Sequence, residues 1–341
     1  MPTISGTVIL TGANSSAGLH AVDHLLKTYP QHTAVFTVRS AANTDVNTNS
    51  LRDIIARYPK AKAYIYELDL ADLTAVHAFA TTISGQITSG SLPAIKSIIC
   101  NAFYWNLVAD PELTVDGYDK TLQVGHIAHV ALVLRLLEHF SPDGGRIELL
   151  SSISHYRKKS PMTPYLPEIP DNIDLLIHPP ADRDKQGRGA QRYAILKLVI
   201  TTWMYPLNEY LQKDPKFSKI TVVAINPGNL GDSRAFRTNV PLSIKIIQKI
   251  VIQKIVFKPL MPLIQRFADP TFRTSREAGV DIIELGVAKA EDGERGYYTL
   301  LKKDDPDPAV LDKERQRIIW EKSAEWAKIN KDNTALKVAF E

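Results

Sequence analysis

Tyr193 and Lys197 stand four residues apart in Tyr193-Ala194-Ile195-Leu196-Lys197, within a stretch of helical periodicity. The i,i+4 spacing puts both side chains on one face. A phenol with an ordinary pKa near ~10 is a poor proton-transfer group at neutral pH. An ammonium beside it stabilises the phenolate and lowers that pKa, so the phenol becomes usable as an acid or base. Ser151 and Ser152 directly follow the run Arg146-Ile147-Glu148-Leu149-Leu150. A hydroxyl there could hold a carbonyl oxygen and stabilise the alkoxide that develops on it. Together these groups point to proton transfer at a carbonyl. Each part also has a plainer reading: Y-x-x-x-K arises by chance on exposed helices, and serines are ordinary turn residues.

A second group of residues points to a dinucleotide. Thr11-Gly12-Ala13-Asn14-Ser15-Ser16-Ala17-Gly18 lies between a β-branched run and a helical pattern. Small residues let the backbone approach a pyrophosphate, and the following helix offers unpaired N–H groups and the positive end of its dipole. Gly12, Asn14, Ser15, Ser16 and Gly18 are the candidate contacts, although a plain Gly/Ser turn would look similar. Arg39 directly follows the second apolar run. In a dinucleotide fold that position faces the adenine ribose. A carboxylate there would bind the 2′-hydroxyl of NAD, whereas a guanidinium pairs with the 2′-phosphate of NADP. An exposed arginine at a strand end is the alternative, and Ser40 could add a hydroxyl.

The order of the pieces carries more than any one of them. The glycine loop, Asp69, Asn101-Ala102, Ser152, Tyr193/Lys197 and Asn226-Pro227-Gly228-Asn229-Leu230 follow one another, each after the expected element. Over about Thr7–Leu230 this resembles the short-chain dehydrogenase/reductase family, with its T-G-x-x-x-G-x-G loop, N-A-G turn, strand-S-S, Y-x-x-x-K and P-G turn. The resemblance implies an NADP(H) oxidoreductase with Ser152, rather than Ser151, on the substrate oxygen. Tyr193 would then be the proton donor, and Lys197 would tune it and hold the nicotinamide ribose. It also implies that Asp69 contacts the adenine amino group, that Asn101 and Ala102 pass close to the cofactor, and that Pro227, Gly228 and Leu230 lie beside the nicotinamide amide. Helix capping is the other role open to Asp69. Three positions depart from the family: Ser16 replaces the middle glycine, Phe103 the glycine of N-A-G, and Gly125 the Asn of V-N-H-x-G-H, which there holds a proton-relay water. His126 could compensate for that loss, and packing against a neighbouring helix is the simpler role for His126 and His129.

The elements that must position these residues are legible as patterns. Continuous apolar runs at 7–11, 34–38, 63–66, 95–100, 146–150 and 220–225 read as buried strands. Helical patterns lie between them at 17–27, 50–58, 73–83, 117–140 and 191–211, with Pro206 expected to kink or end the last. This alternation implies an α/β fold: a Rossmann-type, doubly wound parallel sheet in a single domain. Three stretches extend it: a loop insertion at 154–189, a lid at 239–270, and a C-terminal tail at 302–341. The tail follows a short strand at 297–301 and holds a charged helix near 308–329. In layout they resemble longer family members of the retinol-dehydrogenase, protochlorophyllide-reductase and fungal secondary-metabolism types.

Bulk composition narrows the partners. The chain has 341 residues, 44% of them apolar, and a formal net charge of +4, with basic residues dispersed except around Lys245–Lys258. Nucleic-acid binding is not expected. One cysteine, Cys100, allows no internal disulfide and fits a reducing, cytoplasmic setting. No secretory leader, spanning helix or metal site is expected. Within the lid, Ile246-Ile247-Gln248-Lys249-Ile250 is echoed by Val251-Ile252-Gln253-Lys254-Ile255. The Gln-Lys pair rotates by ~140° between copies, so the echo keeps no single helical face. A packed lid is favoured over peripheral membrane contact. The expected substrate is a bulky hydrophobic ketone or aldehyde, and a homodimer remains open. Competing readings are an isomerase or cyclase with an altered proton relay, and a non-enzymatic NADP-binding protein. Retention of both Tyr193 and Lys197 argues against the last. NADPH should bind more tightly than NADH, and Arg39→Ala should narrow the gap by on the order of 1.5–3 kcal/mol, the worth of a charged hydrogen bond. Equal affinities for the two cofactors in calorimetric titrations of the unmodified protein would defeat this.

Overall fold

The computed structural model describes residues 5–158, 163–246, 257–267, 269–289 and 292–341. Eight strands form one sheet in the order β10-β9-β6-β5-β4-β1-β2-β3. Strands β1 (Thr7–Leu10), β2 (Thr33–Val38), β4 (Ile95–Cys100), β5 (Gly145–Leu150) and β6 (Ile220–Asn226) are buried at every residue. Their continuous apolar character follows from helices on both faces. β3 (Lys62–Glu67) lies at the edge and alternates in exposure. The pairings from β3 across to β9 (Gly296–Thr299) are parallel, and β10 (Lys302–Lys303) returns antiparallel to β9. A two-stranded ribbon pairs β7 (Asn229–Leu230) with β8 (Phe272–Arg273).

Strand order reverses between β1 and β4. Leu10 pairs with Ile99, so the chain leaving β1 at Thr11 emerges beside Asn101. Such a reversal opens a crevice at the carboxyl ends of the strands, where ligands of open α/β sheets bind. One face of the sheet packs against α1 (Ser16–Thr28), α2 (Val46–Ala56) and the helix Ser275–Ile283 through Leu25, Phe36, Leu51 and Ile282. The other packs against α3 (Leu73–Thr88), α5 (Ala128–Leu136) and α6 (Lys185–Lys213). The C-terminal helix Lys313–Trp326 covers α6, with Trp320 stacked on Trp203 at 6.0 Å between ring centroids.

Several boundaries differ from the sequence expectation, each for a local reason. α2 starts at Val46 because Asp45 caps it, accepting from the Thr48 N–H at 2.7 Å. The polar run 46–49 carries no apolar periodicity to show this. The helix expected from Gly117 begins with the single turn α4 (Lys120–Leu122), capped by Asp119, and passes through a π-turn at Gln123–Ile127 before α5. Pro206 does not end α6, which runs on to Lys213. Trp203, Met204, Pro206, Leu207 and Leu211 are buried on it, and their packing outweighs one missing backbone bond. The last residues of the expected 154–189 loop belong to α6, capped by Asp184. Within the lid, residues 242–246 and 257–267 are helical, while 247–256, and with them most of the repeated pentapeptide, lie outside the described residues.

Glu148, on β5, is fully buried against Gly286, and neither carboxylate oxygen has a hydrogen-bond partner among the described residues. Burial raises its pKa well above the usual carboxylate value, against the partial opposition of Arg146. Arg146 is itself engaged by Thr221, Asp292 and the carbonyls of Leu285 and Glu294. At pH values above the ordinary carboxylate range the unfolded chain is ionised at Glu148 while the folded protein keeps the proton. Stability is therefore lost as pH rises through that interval. Glu148→Gln should flatten this slope, raising the unfolding temperature by roughly 2–4 °C at pH 8 and by little at pH 5. Thermal unfolding at both pH values measures it, and an equal effect at both would refute the buried-acid account.

Candidate active site

The glycine loop is built to bring its backbone against another chain segment. Gly12 adopts φ +61°, and a Cβ there would lie 3.1 Å from both Ala102 Cα and Cβ. Ser15 caps α1, its hydroxyl accepting from the Gly18 N–H at 3.0 Å. A Cβ on Gly18 would sit 2.7 Å from the Gly12 and Ala13 carbonyls. The first amides of α1 and its positive dipole end therefore face the loop. Ser16 has a use that glycine lacks: its hydroxyl accepts from the Arg234 N–H at 2.9 Å.

Asn101 holds this loop in place. Its Nδ2 donates to the carbonyls of Thr11 at 2.8 Å and Gly12 at 3.1 Å, and to Ser15 Oγ at 3.2 Å. The Thr11 hydroxyl accepts from the backbone N–H groups of Asn101 at 3.0 Å and Ala102 at 3.1 Å. It contacts His129 Nε2 at 2.9 Å, and His129 Nδ1 is 3.0 Å from the Gly125 carbonyl. A carbonyl only accepts, so Nδ1 carries the proton and Nε2 accepts from Thr11. Burial first, and the neighbouring Lys197 charge as well, push His129 down to about 4 and keep it neutral. His126 is likewise neutral, pushed down to about 3 by burial, and meets Ser323 Oγ at 2.7 Å beside Trp203.

At the other end of the crevice, strand alternation separates the two serines. The Ser151 hydroxyl is buried against Thr201 at 2.7 Å. The Ser152 hydroxyl faces the Tyr193 phenol. Ser152 is held through its carbonyl, which accepts from His155 Nδ1 at 2.7 Å, while His155 Nε2 accepts from the Asp307 N–H at 3.0 Å. Asp307 in turn pairs with Arg157 at 3.0 Å. Lys197 Nζ donates to the Leu150 carbonyl at 2.5 Å and lies 5.4 Å from the ring centres of both Tyr193 and Phe103. Burial opposes charge on both groups: it drives Tyr193 up to about 12, with the Ser152 hydroxyl acting the other way, and Lys197 down to about 7. Phe103, Trp105 and Phe236 complete an aromatic mouth. Phe103 and Trp105 lie 5.6 and 5.4 Å from the Tyr193 ring, and Phe236 lies 5.4 Å from Trp105.

The remaining expected residues lie around the same crevice. Arg39 is exposed at the end of β2. Asp69 is exposed after β3 and accepts from the Ala71 N–H at 2.9 Å; the cap of α3 is Asp72, not Asp69. Pro227 and Gly228 turn the chain after β6, with Gly228 at φ +90°, and Leu230 pairs beside Arg273 in the ribbon. Gly125 has no free space: a Cβ would lie 2.5 Å from Leu196 Cδ2. Leu196, the neighbour of Lys197, fills the room of the family's Asn. Sequence reasoning missed Arg234, His155 and Asp307, whose contacts join distant parts of the chain. A separate cavity of about 1000 Å³ lies between the 154–189 insertion, α6 and Pro308–Arg315. None of Ser152, Tyr193 and Lys197 lines it, and its arginines 157, 188, 192 and 315 are paired with carboxylates.

Residues 235–336 match the family model of the AcuH dehydrogenase domain. The chain is 27% identical to the short-chain dehydrogenase iccH of Talaromyces variabilis, over 97% of this chain and 98% of that one. It is 38% identical to the dehydrogenase acuH of Aspergillus aculeatus over 102 residues, which are 30% of this chain and 98% of the other. Among solved structures, a short-chain dehydrogenase/reductase from Serratia marcescens aligns with a TM-score of 0.55 at 17% identity, covering 88% of this chain and 98% of its own. An NADPH-bound carbonyl reductase from chicken fatty liver aligns with a TM-score of 0.54 at 16% identity, covering 89% and 99%. Both are likenesses of fold.

The packing at Gly125 gives a direct test. Gly125→Asn should destabilise by on the order of 1–2 kcal/mol, because the new side chain collides with Leu196 in a filled core. Adding Leu196→Ala should recover part of that loss. Urea unfolding of the single and double variants measures it, and an unchanged midpoint for Gly125→Asn would contradict the packing described.

Proposed function

Because this chain belongs to the short-chain dehydrogenase/reductase family, we propose that it is an NADPH-dependent reductase of a ketone or aldehyde on a hydrophobic small molecule. The observation that carries this reading is the Ser152 hydroxyl on the Tyr193 phenol, with Lys197 Nζ 5.4 Å from the Tyr193 ring centre, at the mouth of the crevice that holds the glycine loop. Gly12, Asn14, Ser15, Ser16, Gly18 and the start of α1 would hold the pyrophosphate, Arg39 the 2′-phosphate, and Asp69 the adenine. Asn101, Ala102, Pro227, Gly228 and Leu230 would hold the nicotinamide half. The nicotinamide, when bound, supplies the hydride.

The chain's own residues manage the oxygen. Ser152 donates to the carbonyl oxygen and stabilises negative charge as it develops. A phenol held up at about 12 keeps its proton across the physiological range, the state that proton donation requires. Tyr193 passes that proton to the oxygen, and Lys197 favours the phenolate left behind. Lys197 would also hold the nicotinamide ribose. Phe103, Trp105 and Phe236 favour a flat, apolar substrate over a polar sugar, since a sugar's hydroxyls would lose water against aromatic walls. Among the described residues no helix is long and apolar enough to cross a membrane.

NADPH consumption by purified protein, screened over aldehydes, ketones and quinones with NADH in parallel, tests the activity. Tyr193→Phe should cut turnover by about 10²-fold or more while NADPH affinity holds. Lys197→Ala should weaken both turnover and NADPH binding. Normal turnover by Tyr193→Phe would end this mechanism.

A further inference from the structure

The chain after β7 crosses the crevice as a strap, and the strap carries cations that form no ion pair with a carboxylate among the described residues. Residues 233–240 run from the glycine loop to the aromatic mouth. At one end the Arg234 N–H donates to Ser16 Oγ at 2.9 Å. At the other, the Ala235 carbonyl accepts from the Trp105 indole at 3.1 Å, and the Asn239 carbonyl from the Leu107 N–H at 2.8 Å. The Arg234 guanidinium turns inward. It donates to the Asn14 carbonyl and, at 2.5 Å, to Asn47 Oδ1, joining the glycine loop to the first turn of α2.

A short relay connects this guanidinium to the opposite rim. Asn14 Nδ2 donates to the Thr48 hydroxyl at 2.9 Å, and that hydroxyl donates to the Ser40 carbonyl at 2.8 Å. The network around Asn14 thus runs from Arg234 to the carbonyl of Ser40, the residue that follows Arg39. Both acceptors of the Arg234 side chain are neutral oxygens. The group is half-buried and lies in the field of Arg237. Asp45, the carboxylate that acts on it, is already engaged in capping α2. No ion pair joins Arg39, Arg234 or Arg237 to a carboxylate among the described residues. Holding a guanidinium half out of water with no carboxylate in direct contact costs desolvation, which an incoming anion offsets.

We propose that Arg234 is a second ligand of the 2′-phosphate on the cofactor's adenosine ribose, gripping it from the strap while Arg39 grips it from β2; this rests on reading the loop as an NADPH site. A phosphate monoester carries close to two negative charges near neutral pH. Two forked guanidinium groups match its charge and its oxygens better than one. Arg234 belongs to the strap that touches Trp105, so the same contact links cofactor choice to the mouth through which substrate enters.

Calorimetric titration of the wild-type chain, Arg234→Ala and Arg234→Gln with NADPH, NADH and 2′,5′-ADP tests this. Both variants should weaken NADPH and 2′,5′-ADP by about tenfold or more and leave NADH within about twofold. Arg234→Gln keeps a hydrogen-bonding side chain without the charge and decides the matter should the alanine variant not fold, which unliganded thermal unfolding shows. Equal weakening of NADPH and NADH would place Arg234 on the pyrophosphate, and unchanged NADPH affinity would leave it a strap contact only; either overturns the proposal. Wild-type protein that binds NADPH with unaffected Arg234 variants removes this role alone, whereas wild-type protein that binds neither dinucleotide removes the NADPH reading and the proposal with it.

Discussion

The Thr11 hydroxyl sits where strand order reverses, and the site is assembled around it. It accepts from two backbone amides of the turn after β4 and donates to a neutral histidine on α5. The end of β1, the end of β4 and the helix behind them are thereby fixed to one buried oxygen. Asn101, set by this arrangement, holds the glycine loop through two carbonyls and the capping serine of α1. Left unpaired in this environment, any of these polar groups would cost about 1–3 kcal/mol. The loop thus keeps its shape through contacts made before any ligand arrives, which is the condition for precise positioning.

Burial sets the electrostatic character of the crevice. The phenol of Tyr193 is held protonated, the ammonium of Lys197 is discouraged, and three buried histidines, at 126, 129 and 155, are held below their usual value. On the rim, Arg39, Arg234 and Arg237 form no ion pair with a carboxylate among the described residues. Neutral within and positive at the edge is an arrangement that draws an anion to the rim while leaving the inner end free for an apolar molecule.

The last third of the chain contributes none of the proton-transfer groups, yet it acts on them from two sides. Asp307 fixes His155, which fixes the backbone of Ser152. The strap at 233–240 fixes Trp105, which packs on Tyr193. Truncation or exchange of this region would disturb Ser152, which lies outside it, together with the cationic rim, two of whose arginines lie within it. The C-terminal helix adds a covering layer over α6 through the Trp203–Trp320 stack, so the helix bearing Tyr193 and Lys197 is packed on both flanks.

What the sequence by itself determined was local. Six largely apolar runs became six parallel strands, five buried at every residue between helices on both faces and the sixth, β3, at the sheet edge, and Y-x-x-x-K became a shared helical face because 3.6 residues make a turn. The glycine loop was legible because close backbone approach needs small side chains. Boundaries set by a single cap, such as Asp45 before α2, were not legible, since one hydrogen bond leaves no periodic trace. Contacts between distant residues were decided by the tertiary structure. Ser151 and Ser152 are equivalent as letters, and only the pleat of β5 sends one to Thr201 and the other to Tyr193. Gly125 looked like a lost side chain until Leu196 proved to fill its space. Arg234 lies 220 residues from the Asn14 carbonyl it binds. No spacing rule spans that interval, because the fold, not the chain, brings the two together.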